Sequence, residues 1–405
     1  VISVEEAYDR LLRAVAPLPP VDVDLLEAAG RVLAEEVLAD RDAPAAARSA
    51  MDGFAVQAED LRTPPAVLRV VGEVRAGEPA PSRPLAGGEA MRVFTGALVP
   101  AGADAVVMVE VTEEDRSAGT VRVMRAAHPG QHVRARGEER RRGDPVLLAG
   151  SPLHAGEVAS LAALGRARVR VHRPPVVHLL STGDEVVPIE SVPADHQVRN
   201  SNAWGLRAQL RDLRLVPVDL GIAPDRPEGL RQALRQGLQG DVLLVTGGVS
   251  VGDYDLVARS LAEEGLEVLF HGVKMRPGKP LLAGRRGNCL VFGLPGNPLS
   301  TFATFLLFVA PALRRLMGFA GCAPPRVTVT LRGDLERKPD RTTFHLARVT
   351  AGERGLVAEP LPSTGSGDVL SLPRANAFVV TEPGTGAVPA GSALPAVLWP
   401  EFAHR

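Results

Sequence analysis

The spacing of apolar residues divides this chain into stretches with different predicted structure. Between residues 66 and 124 the apolar runs are short, AVLRVVGEV, AMRVFTG, DAVVMVEV and TVRVM, and each is broken by glycine or charge. That pattern predicts β-structure. From 176 to 294 strand-like runs alternate with helical spacing: VVHLLS (176–181), VPVDLG (216–221), DVLLVTG (241–247), LEVLFHG (266–272) and CLVFGL (289–294). Between them Leu206, Leu210 and Leu213 share one helix face, and Leu230, Leu234 and Leu238 share another. Strands alternating with such helices predict a parallel sheet wound on both sides, with ligands taken at the carboxyl ends of the strands. A long apolar helix is expected from Leu299 to Met317, buried in the core. Its most apolar part, Phe302 to Leu313, is too short to span a membrane. Residues 326–405 return to short β runs, RVTVTL, HLARVT, AFVVTE and ALPAVLW, which predict a compact sandwich or barrel. Proline pairs at Pro174-Pro175 and Pro324-Pro325 mark the boundaries of the α/β segment, 174–324. At the other end Ser3 and Glu6 have the spacing of a helix-starting capping box.

Composition narrows the function. A length of 405 residues predicts several domains rather than one. The net charge of −1 and 4% aromatic content argue against nucleic-acid binding and against an anionic membrane surface. Cys289 and Cys322 are too few for a disulfide framework and no CxxC is present, which fits a reducing, cytoplasmic setting. The first sixteen residues read as a charged helix, with no secretory pattern expected.

The candidate chemistry sits in the loops after the strands. Gly247, Gly248 and Gly252 surround Ser250 in a turn whose amides can face an anion, and Asp255 can cap the next helix. Gly248-Val-Ser250-Val-Gly252 also matches the GxSxG of a serine hydrolase. The downstream histidines are His271, His345 and His404, the last two in the β region, so that reading is the weaker one. After the run 289–294, Gly296-Asn297-Pro298 opens the apolar helix, with Asn297 suited to N-cap, Pro298 to the first position, and Ser300 following. That helix end offers amides to phosphate. Arg276-Pro277-Gly278-Lys279 holds two cations on a stiff turn, solvated or sharing an anion; it lacks the spacing of a Walker loop. Thr182-Gly183-Asp184-Glu185, Asp225 and Asp255 place carboxylates on neighbouring strand ends, which suggests Mg2+ and general acid/base work on a phosphate ester, with Glu185 and Asp225 as candidate metal ligands. The 49–55 stretch around Asp52 reads as a loop, and the basic run from Arg134 to Arg142 as a solvated face.

Eight stretches in order carry a resemblance: SAMDGFAV (49–56), FTGALVPAGADAVVMVE (94–110), LSTGDEV (180–186), RNSN (199–202), VTGGVSVGDYD (245–255), MRPGKP (275–280), GLPGNPLS (293–300) and GSGDVLSLPRANAF (365–378). Together they resemble the molybdopterin molybdenumtransferase family, which inserts molybdenum into the pterin cofactor, and the C-terminal part of gephyrin. The resemblance implies a homodimer of four-domain subunits. A split N-terminal domain would take about 1–42 and 130–173, a β-rich domain 43–129, an α/β domain like molybdopterin adenylyltransferase 174–324, and a C-terminal β-barrel 325–405. It implies a reaction of adenylyl-molybdopterin with molybdate, giving molybdenum cofactor and AMP with Mg2+ present, and an adenylyltransferase as the supplier of substrate.

The same resemblance implies catalytic roles for Asp52, Thr95, Glu185, Asp225, Asp255, Arg276 and Lys279. Asp52 would serve the partner's site, while Arg276 and Lys279 would receive molybdate with Arg348 and Ser366 nearby. The TGGVS (246–250) and GNP (296–298) loops would hold the pterin phosphate and nucleotide. Arg276 stands where the family has lysine, and Asn200 where it has aspartate. The absence of a thiolate cluster agrees, since the pterin dithiolene would supply the sulfur ligands. A pterin scaffold without catalysis is the alternative.

Overall fold

The computed structural model describes residues 1–248 and 256–400. Two compact units divide the chain: Val1–Ala34, Gly150–His154 and Arg168–Arg405 make one, and Glu35–Ala149 with Ala155–Ala167 the other.

In the larger unit the α/β region contains, besides the short parallel pair Val186–Val187 and Val198–Arg199, the strands β1 Val177–Thr182, β2 Val218–Ala223, β3 Val242–Thr246, β4 Glu267–His271, β5 Met275–Arg276, β6 Leu282–Arg286 and β7 Cys289–Leu294, seven in number. Six of them form one sheet in the order β2-β1-β3-β7-β6-β4. The pairs β2–β1, β1–β3 and β3–β7 are parallel, whereas β6 is antiparallel to both β7 and β4. The sheet is therefore mixed, not wholly parallel as the sequence pattern suggested. The run LLAGRR was too short and too charged to read as a strand, yet it forms β6 as a tight hairpin with β7. Two reversals restore direction, so β4 points the same way as β7. The turn after β4 thus lies at the same sheet edge as the loops after β1, β2, β3 and β7.

Both faces of this sheet are covered, which is why β1, β3 and β7 are buried throughout and read as continuous apolar runs. Alternate residues serve the two faces. Leu179, Leu244 and Phe292 join a core with Leu206 and Leu210 of α1 (Ser201–Asp212). Leu180, Leu243, Val245 and Val291 pack with Leu230 and Leu234 of α2 (Pro227–Gly237) and with Val257 and Leu261 of α3 (Leu256–Glu263). The expected winding on both sides is present. The last helix, α4, runs Pro298–Leu316, with a π-helical stretch at Phe305–Val309. At 19 residues and a mean hydropathy of 1.3 it passes as a membrane span by composition, but 78% of it is buried within the protein. It is a core helix. The N-terminal helix Val4–Arg13 adds Ala7 and Leu11 to the same core, and the Ser3 hydroxyl accepts from the Glu6 amide as its cap.

Beyond α4 come β8 Arg326–Leu331, β9 Thr342–Gly352, β10 Gly355–Pro360, β11 Ala377–Thr381 and β12 Ala393–Leu398. They pair in the ring β9-β10-β8-β12-β11 and back to β9, a closed five-stranded barrel filled by Val329, Ala347, Val349, Ala358 and Val379. Closure removes the exposed strand edges. The two-residue strand β5 attaches to this barrel in parallel, Met275 opposite Thr342 and Arg276 opposite Thr343.

The smaller unit holds a second six-stranded sheet in the order Ala105–Met108, Gly53–Val56, Glu89–Val93, Ala66–Val74, Thr120–Val123 and Thr112–Asp115. All its pairs are antiparallel except that between Ala66–Val74 and Glu89–Val93. The strand Gly53–Val56 is buried along its whole length and begins directly after Asp52.

Phe308 is fully buried in α4 and meets Phe270 at a ring separation of 6.2 Å. We expect Phe308→Ala to destabilise the larger unit by about 3–5 kcal/mol, the cost of truncating a fully packed aromatic. Urea unfolding followed by tryptophan fluorescence will measure it, since both tryptophans, Trp204 and Trp399, lie in this unit.

Candidate active site

The strand order reverses between β1 and β3, because the chain goes from β1 outward to β2 and then returns to the other side of β1. Such a switch point leaves a crevice at the carboxyl ends, where open α/β sheets take their ligands. A cavity of about 910 Å³ lies there, lined by Thr182 and Glu185 after β1, Gly247 and Gly248 after β3, and Gly296, Asn297 and Pro298 after β7. The Gly247 amide donates to the Leu294 carbonyl at 3.2 Å, so it ties two loops together rather than standing free for a ligand.

The α4 end also offers fewer amides than its sequence suggested. Pro298 has none, Leu299 donates to the Ser366 carbonyl at 3.0 Å, and Thr301 donates to the Asn297 carbonyl at 3.0 Å. Asn297 occupies the N-cap position, as expected, but its side chain makes no capping bond. Its amide is left to face the cavity it lines.

A second cavity, of about 620 Å³, adjoins the first and shares Pro280, Pro295 and Asn297 with it. Arg276, Lys279, Ser300 and Ser366 line it, so four residues singled out in the sequence meet here. Arg276 and Lys279 are exposed to this space while Pro277 and Gly278 between them are buried. Gly278 has φ +108°, and a Cβ there would come within 2.7 Å of Thr304 Cγ2 on the core helix. Only glycine lets the turn seat so closely that both cations project outward.

Sequence reading missed the barrel's contribution to this cavity: Lys338, Arg341, Thr343 and His345. Lys338 and Arg341 belong to the stretch ERKPDR, an ordinary charged loop until β5 joins the barrel beside it. Arg348, expected near the molybdate, lies elsewhere. It is exposed on β9, donates to the Arg374 carbonyl at 3.5 Å, and is not among the residues that line this cavity.

His345 is strongly affected by this company. Burial, then the charges of Arg276 and Lys338, push its pKa from 6.5 down to about 4. Its Nε2 lies 3.0 Å from the Thr381 hydroxyl. The imidazole is neutral near neutral pH.

The carboxylates gather at the ends of β1 and β2. The Asp225 amide donates to Asp184 Oδ1 at 3.1 Å. Burial raises the pKa of Asp225, and the charges of Asp184 and Glu185 raise it further. Gly183, at φ +131°, allows Glu185 to fold back; a Cβ there would lie 2.7 Å from Glu185 Oε2. Among the described residues no three His, Cys, Asp or Glu converge to hold a metal. Mg2+ needs fewer protein ligands, one or two carboxylates with water and substrate phosphate. Mutual repulsion at Asp225 is the condition that a cation relieves, so Glu185 and Asp225 fit the ion. Ser250, Gly252 and Asp255 lie outside the described residues.

Asn202 is another residue that sequence reading left without a role. Its Nδ2 donates to the Gly296 carbonyl at 2.7 Å, while its buried Oδ1 has no partner. It lines the larger cavity and offers an acceptor to a ligand N–H group.

In the smaller unit the amide and hydroxyl of Thr95 both donate to Asp52 Oδ1, each at 2.7 Å. The two bonds hold the exposed Asp52 carboxyl below the usual carboxylate range, the amide contributing most. Part of the basic run nearby is paired: Arg134 binds Glu138 and Glu139, and Arg136 binds Asp42.

Two joined cavities, one at the switch point of an α/β sheet and one rich in cations, define the class. This is an α/β protein with a ligand-sized crevice beside a cation-lined cavity. Residues 2–165 match the family model described as "MoeA N-terminal region (domain I and II)". Residues 178–315 match "Probable molybdopterin binding domain", and 328–399 match "MoeA C-terminal region (domain IV)". A curated molybdopterin molybdenumtransferase of Staphylococcus epidermidis is 31% identical over 402 residues, 98% of this chain and 95% of that protein. One from Nostoc sp. is 36% identical over 369 residues, 88% of this chain and 84% of its own. The crystal structure of a molybdopterin biosynthesis MoeA protein from Pyrococcus horikoshii covers 98% of this chain and 99% of that one, at 31% identity and a TM-score of 0.83. The chain belongs to the molybdopterin molybdenumtransferase family.

The depressed histidine gives a signed expectation. Between pH 4 and 6.5 the unfolded chain protonates His345 and the folded chain does not, so stability rises with pH across that window. We expect His345→Gln to remove this part of the slope. Thermal unfolding of both proteins at pH 5 and pH 7.5 will show a smaller pH difference in the variant.

Proposed function

We propose that this chain inserts molybdenum from molybdate into adenylyl-molybdopterin, releasing AMP and giving molybdenum cofactor. The observation that carries this reading is the adjoining pair of cavities, which presents cations for an oxyanion beside a switch-point crevice lined by Asn202, Gly248 and Asn297 for a phosphorylated pterin. Arg276 and Lys279 bind and orient the molybdate oxygens through charge-assisted hydrogen bonds. Gly248, Asn202 and Asn297 hold the organic substrate across the shared wall. Holding both reactants at one wall lowers the entropy cost of their meeting.

Glu185 and Asp225 would hold Mg2+, which when bound neutralises the phosphate charge and draws Asp225 toward its ionised form. We further propose a homodimer in which Asp52, oriented by Thr95, serves the partner's site. The adenylylated substrate would come from a molybdopterin adenylyltransferase in the cytoplasm. The two buried, unpaired cysteines support that compartment. The hydrolase reading has little support: His345 engages Thr381, and the Nε2 of His271 is buried without a partner.

Purified protein mixed with adenylyl-molybdopterin, molybdate and Mg2+ will release AMP in a molybdate-dependent manner; release that ignores molybdate would overturn the reading. A pterin scaffold would release none. Lys279→Ala should lower that release by roughly 10- to 100-fold, matching the ~1.5–3 kcal/mol of a charge-assisted hydrogen bond.

A further inference from the structure

The smaller of the two cavities is built from two sources. One side is the turn after β4, carrying Arg276 and Lys279. The opposite side is the barrel, carrying Lys338, Arg341 and Thr343. Four cations and one carboxylate, Glu336, are the charged side chains among the described residues that line it. The counter-charges for the barrel pair lie toward solvent. Glu336 is 86% exposed in its side chain and 3.9 Å from Lys338, and Asp340, which binds Arg341, is 59% exposed. An exposed pair at such a distance contributes little. Arg341 is held by Asp340 through two side-chain hydrogen bonds, whereas Lys338 has only the distant, exposed Glu336, so the cavity lining keeps a net positive charge.

Thr343 supplies an independent sign. Its side-chain oxygen is buried with no hydrogen-bond partner, in a residue only 6% exposed that lines the same cavity. An unsatisfied buried hydroxyl costs about 1–3 kcal/mol. A ligand oxygen accepting from it would remove that cost. The register places Thr343 opposite Arg276, so the hydroxyl and the guanidinium belong to one end of the cavity.

We propose that Lys338, Arg341 and Thr343 form the second half of the oxyanion site, so that a tetrahedral dianion is gripped from the barrel as well as from the turn. The inference rests on the transferase reading and adds substrate-positioning residues to it. Lys338 supplies a mobile point charge and Arg341 a planar fork, while Thr343 donates one directed hydrogen bond.

The test is equilibrium binding of sodium molybdate alone to the full chain, with Lys279→Ala as the reference for the turn side. Lys338→Gln and Arg341→Gln should each weaken binding about tenfold, and Lys338→Arg should stay near wild type. Thr343→Val keeps the volume and removes the orphaned hydroxyl. It should weaken molybdate binding several-fold while leaving the melting temperature equal or higher, a combination that a purely structural role does not give. If Lys279→Ala loses binding while Lys338→Gln, Arg341→Gln and Thr343→Val bind as wild type, the barrel half is refuted and the transferase reading stands. Wild-type protein that binds no molybdate would overturn both.

Discussion

The candidate site depends on a very short piece of parallel pairing. Met275 and Arg276 lie against Thr342 and Thr343, and the Thr342 amide donates to the Lys274 carbonyl at 3.1 Å. A second tie joins the same two bodies where the Leu299 amide meets the Ser366 carbonyl. These contacts hold a barrel from the end of the chain against a turn that leaves an α/β sheet. Neither body alone offers more than half of the cationic cavity. Backbone bonds suit this task because they fix position without using the side chains that must remain available to a ligand.

Charge then explains why the arrangement calls for a ligand. Like charges in close quarters raise the free energy of the folded state, and burial sharpens the effect. The protein shows both signs of this condition. His345 is held neutral by burial and by neighbouring cations, and Asp225 is pushed toward its protonated form by burial and by neighbouring carboxylates. An oxyanion relieves the first and a metal cation the second. A chain selected only for stability would gain by removing these groups, so their concentration at one sheet edge reads as function.

Much of this was legible before any coordinates. Continuous apolar runs announced β1, β3 and β7 because these strands are buried on both faces, and the leucine spacing announced α1 and α2. The turn Arg276–Lys279 could be read as anion-seeking because two cations stood on either side of Pro277 and Gly278. What could not be read was long-range. β6 is short, charged at one end and reversed in direction, so no periodicity betrayed it. Lys338 and Arg341 sit in a charged loop that looks solvated until the barrel closes and β5 joins it. Thr343 differs from any strand threonine only by having no partner, which is a property of the fold. Asn297 shows the opposite case: its place at the helix start was correct, yet the capping bond implied by its residue type is absent.

The shared wall of the two cavities constrains the chemistry further. Pro280, Pro295 and Asn297 are the residues common to both, and none carries a charge. Rings of proline cannot donate hydrogen bonds and move little, so this part of the wall would compete for neither of the ligands proposed for the two cavities. If each ligand occupies its own cavity, Asn297 is the polar side chain that both cavities share. A neutral amide suits that place, since it can donate to one ligand and accept from the other without adding charge to either pool. The missing capping bond then has a physical reading: the helix forgoes a cap worth about 1 kcal/mol so that this side chain stays free at the junction.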